Sequence, residues 1–363
     1  MATPTPRPGI MEISPYVGGA APKTAAGPTY KLASNESALG PSPKALSAYT
    51  KAQALHVYPD SGARGLREAI AALHGLDPAR IVCGAGSDEI LQLVTRAYAG
   101  PGDNIVQTEH GFLVYAIAAQ SCSATARFAP EKNLTADVDA ILSLVDEATK
   151  LVFIANPNNP TGTYIPDAQM RRLRENLRDD VILVIDAAYA EYMDAPDYDA
   201  GAALVDENDN TVMTRTFSKI YGLGGLRLGW GYFPAAIADV INRIRGPFNV
   251  SSSALAAGEA AIGDQEFVAR NREHNRMQRD WLYQQLGGLG MRFQPSVGNF
   301  VLVEFPDVEG QSAEDVRRFL SANGVEVRAM GGYRLPSWLR ITVGSAAANR
   351  RLIELLAEKV GDD

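Results

Sequence analysis

Between residues 80 and 217, five short apolar segments rich in β-branched residues alternate with segments whose apolar residues recur at helical spacing. The apolar segments read RIVCGAG, NIVQTE, KLVFIAN, VILVID and TVMTRTF. This alternation predicts a mostly parallel β-sheet with helices on both faces, because parallel strands need a crossover between them and helices usually supply it. A sixth apolar segment, GWGYF at 229–233, predicts a further strand, for which an antiparallel direction is open.

The composition is that of an ordinary globular protein and argues against several classes of partner. Of the 363 residues, 46% are hydrophobic and 21% are charged, and the formal net charge is -8. Acidic and basic residues are interspersed, without the Lys/Arg block typical of nucleic-acid binding. The two cysteines cannot form a disulfide framework, the four histidines show no metal-ligand spacing, and no apolar segment approaches the length of a membrane span. We therefore expect a cytoplasmic protein with no metal site and no nucleic-acid or membrane partner.

The pattern divides the chain into three parts. Residues 1–41 are rich in Pro, Gly and Ser and are predicted to form an extended arm. Residues 42–254 carry the alternating pattern and are predicted to form the large domain. Residues 255–363 are predicted to form a small α+β domain. One long helical stretch near 254–286 leads into it, and a helix within it begins at Ser312 and ends at Gly324.

Polar residues follow three of the apolar segments. NPNNPTG (156–162) follows the third, Asp186 ends the fourth, and Ser218 and Lys219 follow the fifth. Because ligands bind beyond the carboxyl ends of the strands in open parallel sheets, we expect these residues to lie close together. Asp186 follows five apolar residues, so its carboxylate should be at least half buried and in need of a cationic partner. That partner is either a structural cation in a buried salt bridge or a protonated nitrogen of a ligand.

The segment GAGSDEILQLVTRAY (84–98) is a candidate anion site. Its two glycines allow close backbone approach, and Ser87 is predicted to cap a helix whose free amides and dipole attract an anion such as phosphate. No lysine follows the glycines at the spacing of a P-loop. Thr216, Ser218 and Arg227 are further candidates for the same anion, since Arg227 lies eight residues past Lys219.

A lysine, a buried carboxylate and an anion pocket are together what pyridoxal 5′-phosphate requires. The amine of Lys219 would hold the aldehyde as a Schiff base, and Asp186 would keep the pyridine nitrogen protonated. Hydroxyls, the arginine and the helix amides would bind the phosphate. We therefore expect pyridoxal 5′-phosphate as the cofactor.

The sequence resembles the fold type I pyridoxal-phosphate aminotransferases, and within them the histidinol-phosphate aminotransferase group. The matching stretches run in order along nearly the whole chain: LASNESALGPSP, YPD, GAGSDE, NPNNPTG, DAAYAEY, TFSKIYGLGGLRLG and LRITVG. The resemblance implies an aspartate-aminotransferase-like α/β fold, with a large, mostly parallel seven-stranded sheet flanked by helices and a smaller α+β domain. It also implies exchange of an amino group between histidinol phosphate and 2-oxoglutarate, a step of histidine biosynthesis.

The resemblance implies roles for individual residues of the cofactor site. Lys219 resembles the lysine that forms the Schiff base and moves the proton, and Asp186 resembles the partner of the pyridine nitrogen. Tyr189 and Asn159 would hydrogen-bond the phenolic oxygen of the ring. Phe112, in EHGFLVY, would stack on the ring where many members have the tyrosine of a Pro-x-Tyr motif. The phosphate would be bound by Gly86, Ser87, Asp88, Thr216, Ser218 and Arg227.

Further residues are implied to bind the substrate or to join two subunits. Arg328 and Arg340 match anion-binding arginines, and a structural ion pair remains the alternative for each. Tyr16, in ISPYVGG, matches a tyrosine that covers the substrate, and Asn35 and Asn159 would also contact it. Tyr58, in YPD, resembles the tyrosine that reaches the phosphate of the neighbouring subunit, which implies a homodimer with shared sites.

Three other functions remain open from the sequence. An aromatic amino-acid aminotransferase, acting on phenylalanine, tyrosine or arogenate, is compatible with the HGF variant and with the arginine pair. A phosphothreonine decarboxylase-like enzyme would release carbon dioxide without needing an oxo acid. An effector-sensing module of a transcription regulator would need an attached DNA-binding domain, for which the predicted arm leaves no room.

Overall fold

The structure is a computed structural model that describes residues 5–15, 18, 28–52 and 54–360. Its β-strands, in chain order, are β1 (Tyr30–Lys31), β2 (Ile81–Gly84), β3 (Asn104–Thr108), β4 (Thr125–Ala129), β5 (Glu131–Lys132), β6 (Thr135–Ala136), β7 (Thr149–Ala155), β8 (Ile182–Asp186), β9 (Thr211–Thr216), β10 (Gly229–Tyr232), β11 (Phe293–Gln294), β12 (Phe300–Glu304), β13 (Val325–Glu326), β14 (Arg328–Ala329) and β15 (Trp338–Thr342). Its α-helices are α1 (Pro43–Lys51), α2 (Arg64–His74), α3 (Ser87–Tyr98), α4 (Leu113–Ser121), α5 (Val138–Ser143), α6 (Asp167–Asn176), α7 (Ala202–Glu207), α8 (Ala235–Ile244), α9 (Ser252–Ile262), α10 (Gln265–Gly288), α11 (Ala313–Ala322) and α12 (Ala346–Val360). Within the described ranges, no helix combines the length and the apolar character needed to cross a membrane.

A seven-stranded sheet in the order β2-β10-β9-β8-β7-β3-β4 forms the centre of the large unit. Neighbouring strands pair in parallel, except that β10 is antiparallel to both β2 and β9. The predicted parallel sheet is confirmed, and GWGYF is the antiparallel strand. Six of the seven strands coincide with the apolar segments of the sequence. The seventh, β4, was not predicted, because this edge strand is mostly half-buried and lacks a continuous apolar run.

Helices cover both faces of this sheet, as the alternation of segments predicts. Along β2, Val82 points into a core shared with α3, α4 and α8, whereas Ile81 and Cys83 point into a core shared with α2 and α9. Successive residues therefore face opposite cores, which is why the buried strands read as continuous apolar runs.

The helical stretch predicted near 254–286 is two helices, so the prediction of a single one was wrong. Gly263 and Asp264 separate α9 from α10, and the Asp264 carboxylate accepts a hydrogen bond from Lys44 Nζ at 3.0 Å. Helix α9 packs into the core of the large sheet. Helix α10 begins beside that core with Val268 and ends in the core of the small unit with Leu286. We therefore propose that the boundary between the two units falls within α10.

The small unit is built on a four-stranded antiparallel sheet in the order β11-β12-β15-β14. Helices α11 and α12 and the second half of α10 share its core. The predicted start of α11 is confirmed, because Ser312 Oγ accepts a hydrogen bond from Asp315 N at 3.2 Å. Strand β1, from the predicted arm, pairs in parallel with β13 and so belongs with this unit.

The packing of α2 against α9 can be tested with one large-to-small substitution. Leu66 in α2 is fully buried, and a Cβ added to Gly258 of α9 would lie 3.2 Å from Leu66 Cδ1. Because Leu66→Ala leaves a cavity between the two helices, we expect it to lower the free energy of unfolding by about 2–5 kcal/mol, measured by urea denaturation. The control is Leu73→Ala on the same helix, where the side chain is 40% exposed and a loss below about 1 kcal/mol is expected. Equal losses in the two variants would contradict this packing.

Candidate active site

A cavity of about 180 Å³ lies where β7, β8 and β9 end. This is the carboxyl edge of the parallel sheet, where the sequence predicted that the polar residues would meet. Most of the predicted site residues line this one cavity: Asn35, Ser87, Asp88, Phe112, Asn159, Asp186, Tyr189, Thr216, Ser218, Lys219, Arg227 and Arg340.

Asp186 is a buried acidic residue of this cavity, with 4% of its surface exposed. The Tyr115 hydroxyl donates to its Oδ2 at 2.7 Å, and the Thr214 hydroxyl donates to its Oδ1 at 3.2 Å. Burial raises the pKa of Asp186 to about 6, although both hydrogen bonds act in the opposite direction. A cationic group in the cavity would stabilise the ionised carboxylate, so the site suits a ligand with a protonated nitrogen.

Tyr115 and Thr214 were missed as site residues. Thr214 lies two residues before Thr216 on β9, so the two side chains share one face of the strand. The spacing of two residues could therefore have identified Thr214 as a site residue from the sequence. Tyr115 lies in the first turn of α4, three residues after Phe112, and its position gave no comparable signal.

Lys219 follows β9 and reaches the same cavity. Its Nζ donates to the carbonyl oxygen of Ser34 at 3.3 Å and lies 5.7 Å from the centre of the Tyr189 ring. The amine is therefore placed beside the phenol at the cavity wall. This geometry suits a lysine that reacts with a bound ligand.

Hydrogen bonds join the arm, the small unit and the large unit around the cavity. Asn35 Nδ2 donates to Tyr189 Oη at 2.8 Å, and burial raises the pKa of Tyr189 to about 12. The buried Arg340 guanidinium donates through Nη1 to Asn159 Oδ1 and through Nη2 to the Ala33 carbonyl at 2.9 Å. Its Nε has no hydrogen-bond partner in the described part of the chain. One donor of this guanidinium thus remains for another acceptor.

The amino end of α3 forms one wall of a candidate anion site. Gly86 occupies the N-cap with φ 84, and Ser87 is the first helical residue. The prediction that Ser87 caps the helix was therefore wrong, and no side chain caps α3. A Cβ added to Gly229 would lie 2.2 Å from Ser87 N, so only glycine lets β10 pass this close to the helix end. The free amides of the first turn attract an anion.

Arg227 lies across this helix end. Its Nη2 contacts Asp88 Oδ2 at 3.0 Å, and its Nη1 donates to Ser218 Oγ at 3.4 Å. A Cβ added to Gly86 would lie 2.5 Å from Arg227 Nη2, so the glycine makes room for the guanidinium. Thr216 Oγ1 accepts a hydrogen bond from Ser218 N at 3.1 Å. Guanidinium, hydroxyls and helix amides thus gather at one end of the cavity, as binding of a phosphate requires.

Among the described residues, three predicted ones do not line this cavity: Gly86 at the N-cap of α3, Arg328 and Tyr58. Arg328 on β14 lies opposite Arg340 on β15 but lines a larger, separate cavity of about 650 Å³. Tyr58 is 78% exposed and stacks on Phe248 with ring centres 4.5 Å apart. Tyr16 lies outside the described residues.

The fold and the site define an aminotransferase. The model of the family described as "Aminotransferase class I and II" matches residues 28–356, and the chain belongs to this family.

More specific similarity is to histidinol-phosphate aminotransferases. The chain is 53% identical to that of Paramagnetospirillum magneticum, over 99% of this chain and 100% of that protein. It is 56% identical to that of Rhodospirillum rubrum, over 97% of this chain and 96% of that protein. These relatives confirm the resemblance that the seven sequence stretches indicated.

Solved structures agree with this placement. The Sinorhizobium meliloti histidinol-phosphate aminotransferase, in complex with pyridoxal-5′-phosphate, matches with a TM-score of 0.86 and 25% identity, covering 97% of this chain and 96% of that chain. A mutant of Thermus thermophilus aspartate aminotransferase matches with a TM-score of 0.80 and 22% identity, over 91% of each chain, which concerns the fold alone. The predicted aspartate-aminotransferase-like fold is confirmed.

The burial of Asp186 predicts a pH dependence of stability in the protein stripped of small molecules. The pKa of Asp186 is raised from 3.8 to about 6, so between these values the folded chain binds a proton that the unfolded chain has lost. The free energy of unfolding should therefore fall as the pH rises through this window. We expect the wild type to lose on the order of 3 kcal/mol more than Asp186→Asn between pH 4 and 7, measured by urea denaturation. Asparagine keeps the shape of the side chain and does not titrate, so parallel curves for the two proteins would contradict the burial of a titrating carboxyl group.

Proposed function

We propose that this chain transfers an amino group between histidinol phosphate and 2-oxoglutarate, with pyridoxal 5′-phosphate as the cofactor. The observation that carries the reaction class is the meeting of Lys219, Asp186 and Arg227 in one cavity. The substrate is supported by the relatives, because six histidinol-phosphate aminotransferases are 51–56% identical to this chain over at least 97% of its length.

The residues of the cavity fit this cofactor. The buried Asp186 carboxylate needs a cation, and a protonated pyridine nitrogen would supply one. The helix end beside Gly86, with Arg227 and Ser218, offers the donors that a phosphate group requires. Phe112 lines the cavity between these two ends and offers an aromatic face for stacking.

Lys219 and Asp186 would have separate roles in the reaction. When bound, pyridoxal 5′-phosphate would supply a carbonyl carbon that amines attack and a protonated ring that withdraws electrons from the substrate Cα. Lys219 Nζ would bind that carbonyl carbon and, once displaced by the substrate amine, would take the proton from the substrate Cα. Asp186 would hold the proton on the pyridine nitrogen, in an orientation fixed by Tyr115 and Thr214.

Two further groups would fix the ring and the substrate. Tyr189 is a neutral phenol at pH 7, and burial raises its pKa further, so its hydroxyl would donate a hydrogen bond to the phenolic oxygen of the ring, beside Asn159. The unpaired Nε of Arg340 would bind a carboxylate of the oxo acid or of glutamate.

A homodimer with shared sites belongs to the same proposal. Leu55, Val57, Tyr58 and Phe248 are large apolar residues with 93%, 56%, 78% and 45% of their surfaces exposed. An exposed apolar cluster of this kind is typical of a protein interface. Tyr58 would then reach the phosphate of the partner subunit's cofactor.

The proposed substrate is tested by titrating the purified, cofactor-loaded protein with amino donors. We expect histidinol phosphate to convert the visible absorption band of the bound cofactor at a concentration at least about tenfold lower than phenylalanine, since charge-assisted contacts to a phosphate add about 1.5–3 kcal/mol. Lys219→Ala should lower turnover by at least about 10³-fold, because the variant lacks both nucleophile and base.

The matched control for this substitution is Lys44→Ala, whose exposed amine contacts Asp264 outside the cavity, and its turnover should stay within about twofold of wild type. A preference for phenylalanine would make the chain an aromatic aminotransferase. Normal turnover in Lys219→Ala would contradict the mechanism itself.

The shared site is tested by mixing two inactive variants. In a dimer of one Lys219→Ala subunit and one Tyr58→Ala subunit, one site would contain both an intact Lys219 and an intact Tyr58 from the partner. Random mixing should therefore restore up to about one quarter of wild-type activity, measured at limiting cofactor. Each variant alone is the control. If mixing restores nothing while mixed dimers are present, Tyr58 does not act on the partner subunit's site.

A further inference from the structure

The larger cavity, of about 650 Å³, has no assigned role in the chemistry described so far. Its volume is within the range of small-molecule sites, roughly 300–1,000 Å³. It adjoins the smaller cavity of about 180 Å³ that contains Lys219 and Asp186, which we call the compact cavity, at two places. Gly111 and Leu113 line the larger cavity, whereas Phe112 between them lines the compact one. Arg328 and Arg340 face each other across the β14–β15 pair and line the larger and the compact cavity, respectively.

One wall of the larger cavity is an extension of β3. The ladder to β4 continues past the end of β3, since Glu109 N donates to the Ala129 carbonyl at 2.8 Å. Gln107 and Glu109 are therefore alternate residues of one extended segment, and their side chains point to the same side. Both line the cavity. His110, which follows Glu109, contacts Glu131 Oε2 through its Nδ1 at 2.9 Å.

Gln107 has an unmet hydrogen-bonding capacity. Its side chain is 1% exposed, and no described residue donates to its Oε1. Its Nε2 makes one long contact, 3.5 Å, to the Thr108 carbonyl. A Cβ added to Gly111 would lie 3.2 Å from Gln107 Nε2, so the glycine leaves the amide uncrowded. Buried polar atoms are usually hydrogen-bonded, so this acceptor on the cavity wall is available to a donor group of a ligand.

The charges of the cavity are separated between its walls. Glu109 and Gln107 offer acceptors on the β3 side, whereas Arg328 and Arg334 bring cations from the small unit. Glu109 Oε1 and Arg334 Nη1 lie 3.8 Å apart across these walls, with both side chains partly exposed, so lone pairs of the carboxylate stay available. A ligand with an anionic group at one end and ring N–H groups at the other is complementary to this arrangement.

We propose that Gln107 and Glu109 form the subsite that binds the N–H groups of the amino donor's imidazole ring, with the donor's phosphate directed toward Arg328. This inference rests on the proposed function, and it assigns donor specificity to the β3 extension. Imidazole carries one N–H when neutral and two when protonated, so one or two acceptors suit it. A phenyl ring has no such donor and would leave both acceptors unpaired.

The test compares two ligands that differ only in this ring. Histidinol phosphate and phenylalaninol phosphate share the amine and the phosphate. Their dissociation constants are measured by isothermal titration calorimetry in cofactor-loaded Lys219→Ala protein, where binding proceeds without turnover. Adding Glu109→Gln should weaken histidinol phosphate by at least about tenfold and change phenylalaninol phosphate by less than about twofold, because only the imidazole loses a charge-assisted hydrogen bond.

Two further variants complete the design. Gln107→Met, close in volume and without the amide, should also weaken histidinol phosphate selectively, by at least about fivefold. The matched control is Glu304→Gln, a carboxylate that pairs with Arg292 at 2.8 Å and does not line this cavity. It should leave both dissociation constants within about twofold.

The outcomes separate the subsite from the function. Suppose that the cofactor-loaded Lys219→Ala protein, which is the background for these variants, prefers histidinol phosphate. If adding Glu109→Gln then weakens the binding of both ligands equally or of neither, the subsite assignment is overturned and the proposed function stands. If the background protein does not distinguish the two ligands, the proposed donor is wrong, and the subsite falls with it.

Discussion

The cost of burying the Asp186 carboxylate is the constraint around which the site is organised. A carboxylate with 4% exposure at the end of a central strand is stable as an anion only with hydrogen-bond donors and a nearby cation. The chain provides the donors, through the hydroxyls of Tyr115 and Thr214, and the pKa near 6 shows that they do not offset the burial. A cation from a ligand would offset the remaining cost, so the burial that destabilises the protein without a ligand would favour a protonated ring.

At the opposite end of the cavity, two glycines leave the space that the Arg227 guanidinium and the end of α3 need. Gly86 and Gly229 lie where any side chain would collide with the Arg227 guanidinium or with the amide of Ser87. Because these two glycines have no Cβ, strand β10, the amino end of α3 and the Arg227 guanidinium can all lie close to one anion. The distance between the buried carboxylate and this anion end is then set by the rigid sheet, because β8, β9 and β10 pair residue by residue.

Much of this organisation could be predicted from the sequence, for physical reasons that particular elements make clear. Strands β7 and β8 are buried on both faces and read as unbroken apolar runs, so both they and the polar residues at their ends were identifiable. Edge strand β4 was not, since its half-buried residues follow no such run. The break at Gly263 was missed because apolar residues continue on both sides of it, although Gly263 and Asp264 are residue types typical of a helix end and a helix start. The roles of the individual site residues stay predictions. The part of Tyr115 in the site could not be predicted from the sequence, because its hydrogen-bond partner Asp186 is 71 positions away in the chain.

The hydrogen bonds of Asn35 and Arg340 have a consequence for how the molecule could open. Asn35 is tied to Tyr189 in the large unit and, through its backbone amide, to Thr342 in the small unit. Arg340 in the small unit is tied to Asn159 in the large unit and to Ala33. Separating the units would unpair several buried polar groups in a single step, so intermediate openings are disfavoured. We therefore expect the two units to separate cooperatively, with all of these hydrogen bonds lost together.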